Sequence, residues 1–385
     1  MRNFFKYIYF YIYEIAYSLP FYLLRAFPIN KTKIIFNNFD GKGYGDNPKY
    51  IAEYILKNNL EFELVWLVND VNDLSIPGQI RKVKNQTFRA IYELVTAGIW
   101  VDNNRKSFVT KKRFQQYYIQ TWHGCMMMKK IEKDAENKLD FLYLKSAKND
   151  SKMIDLCLSN SYFMTKFYEK SFWYKGDILQ SGSPKMDFLL NSTSDDLVRI
   201  KEKLNISFDK KIVLYAPTFR TDKNTDVYIL EFEKLLDKLE SIYKGDWIVL
   251  VRLHPSMIEK SSDFCYSEKV FNLSAYSDMQ DLLLISEVLI TDYSSTMFEF
   301  YLMNKVVFLY ATDVENYESE RGLYFSYDII PFPKAKTFED LLKVIEGFDR
   351  NKYDQKVDVF MQSIGFTETG VACQKLFSRM SAIKN

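Results

Sequence analysis

At 385 residues the chain exceeds what one hydrophobic core usually organises, so two domains are expected. Hydrophobic residues make up 47% and charged residues 26%, the balance of a folded globular protein, which excludes a disordered chain. The net charge of +2 conceals a polarity: residues 1–190 hold 28 Lys and Arg against 19 Asp and Glu, and the remainder holds 24 against 31. A basic first half attracts anionic lipid or a phosphorylated acceptor; no basic-aromatic module of the nucleic-acid-binding kind is present, so nucleic acid is not an expected partner. Cys125, Cys157, Cys265 and Cys373 are widely spaced, with no CxxC pair and no signal-peptide pattern. They read as free thiols in a reducing compartment rather than as a zinc site.

Residues 1–30 are apolar and aromatic but carry Lys6, Glu14, Pro20 and Arg25. A spanning helix needs roughly 20 mostly apolar residues, so the segment suits a membrane interface better, with Arg2, Lys6, Arg25, Lys31 and Lys33 around it. Packing on the protein's own core is the alternative, and one face can do each job. From Lys33 short apolar runs alternate with amphipathic stretches: Ile34 to Phe36 as a strand, Gly41 to Asn47 as a glycine-rich loop, and Pro48 to Lys57 as a helix. Leu64 to Val68 is a strand, Thr87 to Thr96 a helix, and Ile99 to Val101 a strand ending in Asp102-Asn103-Asn104. This order predicts an α/β domain with a parallel sheet, whose ligands bind at the carboxyl ends of the strands.

The next strand, Tyr117 to Thr121, runs into Trp122-His123-Gly124 and then Lys129-Lys130. A neutral imidazole at a strand end can take a proton from an attacking hydroxyl near pH 7; the bland reading is a structural histidine bonded to a loop carbonyl. The two lysines are either phosphate contacts or a solvated face. Leu156 to Leu158 ends in Ser159-Asn160-Ser161, and Ile178 to Gln180 ends in Ser181-Gly182-Ser183-Pro184-Lys185-Met186-Asp187. That turn closes a domain of residues 31–190, with Asn191 to Asp196 as the linker to a second domain of residues 191–385.

The second domain opens with a strand from Lys211 that ends in Thr218-Phe219-Arg220, where a hydroxyl and an arginine can grip a diphosphate. A helix from Tyr228 to Tyr243 precedes the strand Trp247 to Arg252, which delivers Arg252-Leu253-His254-Pro255 and the second of only two histidines. After a short helix from Asp281 to Ser286, the run Val288-Leu289-Ile290 leads into Asp292, Ser294 and Ser295, and Thr296 to Tyr301 can carry a helix away. Such a turn leaves N–H groups and a helix N-terminus pointing at one spot, a seat for phosphate, although capping alone explains the same residues. Val306 to Tyr310 is a further strand, Glu320 to Phe325 a loop, Phe338 to Phe348 a helix, and Tyr353 to Ser381 finishes as helix.

In this order the motifs QTWHG, SGSPKMD, LYAPTFR, RLHP, ITDYSS and RGLYF resemble those of the CDP-glycerol glycerophosphotransferase family of bacterial teichoic acid synthesis, over roughly residues 33–375. The resemblance implies a GT-B fold, two facing Rossmann-like domains with the active site in the cleft between them, the first on the acceptor side and the second binding the CDP-alditol. It implies a peripheral location on the cytoplasmic face of the cell membrane and transfer of glycerol phosphate from CDP-glycerol, or ribitol phosphate from CDP-ribitol, to a lipid-linked, undecaprenyl-type acceptor. Carried over by position, His123 followed by Gly124 matches the base, and His254 with Arg252 the histidine at the donor diphosphate. Ser294 and Ser295 match the phosphate seat with Asp292 fixing its turn, and Thr218, Arg220 and Arg321 match donor contacts. Arginines, imidazole and N–H groups can stabilise the transferred phosphoryl group without an obligatory metal, and a loosely held magnesium is compatible. Two departures stand out: Cys125-Met126-Met127-Met128 replaces a threonine-proline turn, and Gly182-Ser183-Pro184 replaces a glycine-tyrosine-proline turn. A GT-B glycosyltransferase using a nucleotide sugar for an envelope glycan is the competing expectation.

Overall fold

Two parallel sheets organise the chain, and the reason is visible in their strands, which are apolar on both faces and buried almost throughout. In the computed structural model, which describes residues 2–220 and 225–384 (the side chains of 2–10, 255, 321 and 381–384 apart), these strands belong to two compact units. The first comprises 1–123, 131–187 and 367–385, and the second 124–130 and 188–366.

In the first unit the strands are β1 (Asn30–Asn37), β2 (Glu63–Val68), β3 (Arg81–Lys84), β4 (Ala97–Asp102), β5 (Tyr117–Gln120), β6 (Leu156–Ser159) and β7 (Asp177–Gln180). They lie in the order β3-β2-β1-β4-β5-β6-β7, all parallel. The order reverses between β1 and β4, whose carboxyl ends therefore flank a crevice. In the second unit β8 (Lys210–Tyr215), β9 (Asp246–Val251), β10 (Val270–Asn272), β11 (Val288–Thr291), β12 (Val306–Tyr310) and β13 (Lys334–Ala335) lie in the order β10-β9-β8-β11-β12-β13. Here the reversal falls between β8 and β11.

The sequence reading placed everything after residue 190 in the second domain, whereas 367–385 pack with the first unit. The cause is the helix Ala372–Lys384, whose Cys373, Leu376, Phe377 and Met380 join Ile51, Ile55, Ile34 and Trp66 in one buried cluster. Asp187, last residue of the SGSPKMD run, caps that helix by accepting from the N–H groups of Ala372 and Cys373, both at 2.7 Å. The predicted continuous helix from Tyr353 to Ser381 is instead two, Arg350–Ile364 and Ala372–Lys384, parted at Gly365, which takes the left-handed conformation (φ 64°) that closes the first. Three edge strands, β3, β10 and β13, were not read from the sequence because each has two to four residues and offers no apolar run. The expected linker at 191–196 is half helix, since Ser194–Lys203 starts behind a Thr193 and Asp196 capping box. Glu320 and Arg321, expected in a loop, end the helix Val314–Arg321.

Residues 2–26 form one helix, Arg2–Leu23, with Pro20 inside it, and a short turn of 3-10 helix. One face is docked: Glu14 pairs with Lys111 and Lys145, Ser18 donates to the Val109 carbonyl at 3.0 Å, and Phe21 and Leu24 are buried. Tyr11, Ile12, Ile15, Leu19, Tyr22 and Leu23 are exposed, and at 100° per residue they fall within one adjoining arc of the helix. Among the described residues no helix is long and apolar enough to cross a membrane.

Candidate active site

The crevice of the first unit is built from the loops that leave β1 and β4. Asn103, fully buried just past β4, accepts the Phe39 N–H on its Oδ1 at 2.8 Å and donates from Nδ2 to Asn38 Oδ1 at 2.8 Å. Its side chain therefore ties the two loops together, and its backbone carbonyl meets His123 Nδ1 at 2.7 Å. A carbonyl only accepts, so Nδ1 carries the hydrogen and Nε2 keeps its lone pair. Burial pushes the His123 pKa below its ordinary value, against the Asn103 bond and Asp46, which raise it. The ring is thus a neutral imidazole with a basic Nε2 at pH 7, held between Phe39 (centroids 5.0 Å apart) and Trp122 (4.5 Å).

The peptide carrying this ring is held as firmly as the ring. Trp122 takes a positive φ of 52°, which costs a non-glycine residue about 1–3 kcal/mol and persists only where neighbours enforce it. Gln120 Oε1 accepts its N–H at 2.9 Å, and Asn47 Nδ2 donates to its carbonyl at 3.0 Å. Lys185 Nζ donates to the His123 carbonyl at 2.8 Å. Behind Trp122, Arg105 stacks on Phe172 at 3.5 Å and pairs with Glu132 (2.7 Å) and Asp150 (3.1 Å), all three carboxylate and guanidinium groups being buried. A Cβ at Gly124 would lie 2.2 Å from Met127 Cε, the tip of a flexible side chain that can move aside, and 3.4 Å from the Met126 carbonyl, so packing alone does not demand glycine there.

In the second unit the loops after β8 and β11 meet at Asp292. Its Oδ1 accepts from Thr218 N–H (2.8 Å), Thr218 Oγ1 (2.9 Å) and Tyr293 N–H (2.6 Å), so Asp292 ties the two loops together. Arg220 Nη2 reaches Asp292 Oδ2 at 2.9 Å and Asp313 Oδ1 at 2.9 Å, Nε reaches Asp313 Oδ2 at 2.6 Å, and Nη1 serves the Thr218 carbonyl and hydroxyl. All five donors of the guanidinium are filled, so Arg220 and Thr218 build the turn rather than face a ligand.

Arg252, at the end of β9, is its opposite. Nη1 is given to the carbonyls of Leu273 and Tyr276, while Nε and Nη2 have no partner and no carboxylate lies within ion-pair distance among the described residues. Burial pulls its pKa to about 10, with Asp278 and Tyr276 resisting. His254 follows it on the surface, its ring 4.8 Å from that of Phe219. Its Nδ1 accepts the Ser256 N–H at 3.2 Å, which places the hydrogen of the neutral ring on Nε2, the reverse of His123.

Ser294 Oγ donates to Thr296 Oγ1 at 2.9 Å and accepts the Thr296 N–H at 3.3 Å, and Ser295 is the N-cap residue. The helix they begin, Thr296–Leu302, has only seven residues, so its dipole is weak and any anion there depends on the turn's own groups. The N–H groups of Ser294 and Ser295 have no partner among the described residues. Residues 124–130 join this unit: the Lys130 N–H donates to the Gly322 carbonyl at 3.0 Å, the Tyr324 N–H to Met128 at 2.9 Å, and Lys129 bridges to Leu323. The run after WHG and the RGLYF run are thus neighbours. Lys129 lies over the Tyr317 ring at 3.9 Å and near Glu320 at 3.8 Å. The Arg321 side chain lies outside the described residues.

The model of the CDP-glycerol:poly(glycerophosphate) glycerophosphotransferase family matches residues 19–381. The chain belongs to this family. It is 29% identical over 378 residues to the teichoic acid poly(glycerol phosphate) polymerase of Bacillus spizizenii, covering 94% of this chain and 95% of that one. It is 31% identical to the teichoic acid glycerol-phosphate transferase of Staphylococcus aureus, over 92% of this chain and 94% of that one. By contrast it spans about half, 49%, of the Staphylococcus epidermidis polymerase, at 31% identity over 89% of this chain. Among solved structures, a histidine variant of the wall teichoic acid polymerase TagF soaked with CDPG superposes with a TM-score of 0.83 at 28% identity, over 99% of this chain and 98% of that one. The fold of this glycerophosphotransferase is accordingly GT-B-like, with two parallel α/β sheets.

Within this transferase the sequence reading singled out both histidines as candidates and did not single out the groups that hold the His123 ring and its peptide. Asn103 stood in a quoted polar strand end and Lys185 in a quoted motif, yet neither had a role, because their partners are 20 and 62 residues away. Asn47 ended the glycine-rich loop without being given a role, and Arg105 was not singled out. Asp313 did have one, since it closes the strand-end run after β12 in the same way as Asp292 does after β11.

Proposed function

We propose that this enzyme transfers glycerol phosphate from CDP-glycerol to a hydroxyl on a lipid-linked acceptor, releasing CMP, in the synthesis of teichoic acid or a related envelope polymer. The observation that carries the reading is the His123 ring, neutral and fixed with its basic Nε2 outward by the Asn103 carbonyl. In the reaction Nε2 takes the acceptor hydroxyl's proton, the oxygen bonds to the glycerol-bearing phosphorus, and the anhydride bond to CMP breaks with its electron pair leaving on CMP. On the donor side Arg252 and the Nε2–H of His254 meet the negative charge of the diphosphate, and the Ser294 and Ser295 turn offers hydroxyls and N–H groups. Thr218, Arg220 and Asp292 hold that turn in place. The family description names CDP-glycerol, and relatives also include a poly(ribitol-phosphate) polymerase, so CDP-ribitol is the second donor to test. Incubation with labelled CDP-glycerol, CDP-ribitol and UDP-sugars decides: CMP released only from a CDP-alditol supports the reading, and UDP release from a sugar donor defeats it.

Arg252→Met is expected to raise KM for CDP-glycerol at least tenfold, because a charge-assisted bond is worth about 1.5–3 kcal/mol, with a smaller loss of stability than Arg220→Met because only the Leu273 and Tyr276 carbonyls lose a donor. An unchanged KM would remove Arg252 from the donor site. Because these cations and hydroxyls can balance the transferred charge, turnover is expected to persist after dialysis against EDTA. A complete loss restored by magnesium would make the metal obligatory.

The exposed arc of the Arg2–Leu23 helix supports a peripheral location on a membrane, on the cytoplasmic side where a nucleotide donor is available. Ile15→Ser with Leu19→Ser, two exposed sites, is expected to weaken binding to anionic vesicles by an order of magnitude or more with no change in thermal stability. Vesicle binding equal to that of the parent chain would show that the arc faces water.

A further inference from the structure

A turn at the foot of the first sheet shows the same chemistry as the helix without being part of it. Between β4 and β5 the chain reads Lys111-Lys112-Arg113-Phe114-Gln115-Gln116, and the Phe114 side chain is 99% exposed. A bare phenylalanine usually signals a loose loop, and this one is rigidly built. The Gln116 N–H donates to the Arg113 carbonyl at 3.2 Å, and the Gln116 side chain accepts the Arg113 N–H at 2.8 Å. Its Nε2 is anchored in turn on the carbonyls of Leu94 (2.6 Å) and Ala97 (2.5 Å). Phe114 is therefore held in solvent by the fold.

The turn is tied to the end of the N-terminal helix. Arg113 Nη1 donates to the Phe27 carbonyl at 2.7 Å, and Arg25 Nη2 donates to the Lys112 carbonyl at 3.3 Å while its guanidinium covers Tyr22 at 4.5 Å. Charge divides cleanly here. Lys111 is neutralised by Glu14 and Lys112 by Asp155, whereas Arg25 and Arg113 have no carboxylate partner among the described residues. A bare ring beside two uncompensated guanidinium groups matches a lipid surface, which offers an acyl boundary next to phosphate; a protein partner of apolar character would leave both charges unpaired.

We propose that the Arg113–Gln116 turn is a second lipid contact, in which Phe114 enters the acyl boundary of an anionic bilayer while Arg113 and Arg25 meet lipid phosphates. The proposal rests on the reading of the N-terminal helix as lipid-facing and adds a separate wedge to it. Two contacts set the orientation of the first unit on the membrane, where a helix alone permits rolling about its axis.

The test measures co-sedimentation of the full chain with phosphatidylcholine vesicles, with and without phosphatidylglycerol. Phe114→Ala is expected to lower partitioning about tenfold on both, the loss of one buried ring. Arg113→Gln is expected to lower it only on the phosphatidylglycerol vesicles, and less so at high salt. Leu74→Ala, equally exposed elsewhere in the first unit, is the control and should bind as the parent does. Thermal unfolding and turnover on a water-soluble acceptor should not change in Phe114→Ala, since the ring has no packing to lose. If Phe114→Ala binds like the parent while Ile15→Ser with Leu19→Ser does not, the wedge is overturned and the helix reading stands. A parent chain that fails to bind either vesicle overturns both. A change in sedimentation mass for Phe114→Ala, with vesicle binding intact, would assign the turn to a second copy of the chain and overturn the lipid contact.

Discussion

Replacing His123 with alanine is expected to lower turnover by about two to four orders of magnitude, the usual loss when a positioned general base is removed. The structure adds a sign and a position to the pH dependence. Burial lowers the pKa of His123 from the ordinary 6.5, so the ring is neutral and competent at pH 7. As pH falls through the lowered value, Nε2 is protonated and can no longer accept the acceptor's proton, so kcat/KM should fall on the acid side with a midpoint below 6.5. His123→Ala should lose that limb along with the rate. A variant that keeps both the turnover and the acid limb would show that another group is the base. His254→Ala is expected to lose turnover over a similar range of roughly two to four orders, but to retain the acid limb, because its Nδ1 accepts the Ser256 N–H and its neutral ring carries the hydrogen on Nε2, which donates rather than accepts a proton. Two histidines with opposite tautomers are thus separable by one pH profile each.

Replacing Arg220 with methionine is expected to destabilise the second unit by about 3–5 kcal/mol, the cost of leaving buried carboxylates without their cation. Asp292 and Asp313 would both lose their charge partner, and the Thr218 carbonyl and hydroxyl would lose donors in the same turn. The two aspartates raise the Arg220 pKa against the burial that would lower it, which marks the guanidinium as a permanently charged member of the core. Urea unfolding followed by a probe in the second unit reads the effect. A midpoint equal to that of the parent, together with a KM for CDP-glycerol raised tenfold or more, would instead return Arg220 to direct contact with the diphosphate. Arg252→Met is expected to raise KM with the smaller loss of stability, and the pair of variants tests whether the two guanidinium groups divide between the fold and the donor.

Much of the architecture was legible because it is local. A parallel strand buried on both faces is a short apolar run, and the crevice at its carboxyl end begins with the first polar residue after it. Reading the chain in that way reaches His123, Arg252, His254, Asp292 and the serine turn without coordinates, along with the alternation that makes the class α/β. The order of the motifs was enough to name the family that the match over residues 19–381 then showed.

What the tertiary structure alone decided is the assignment of partners. Thr218-Phe219-Arg220 and Arg252-Leu253-His254 look alike in sequence, each an arginine at a strand end. Arg220 finds carboxylates 72 and 93 positions away and is consumed by them, while Arg252 finds carbonyls and, among the described residues, no carboxylate within ion-pair distance. The same holds for the aim of His123, set by a carbonyl 20 residues upstream, and for the last helix, drawn back to the first unit by Asp187 and by its own apolar face. Periodicity and strand-end polarity depend on neighbours along the chain, so the sequence determines them by itself. Whether a charge is spent or available depends on what the fold brings beside it, and that is set only when distant segments close around a common core.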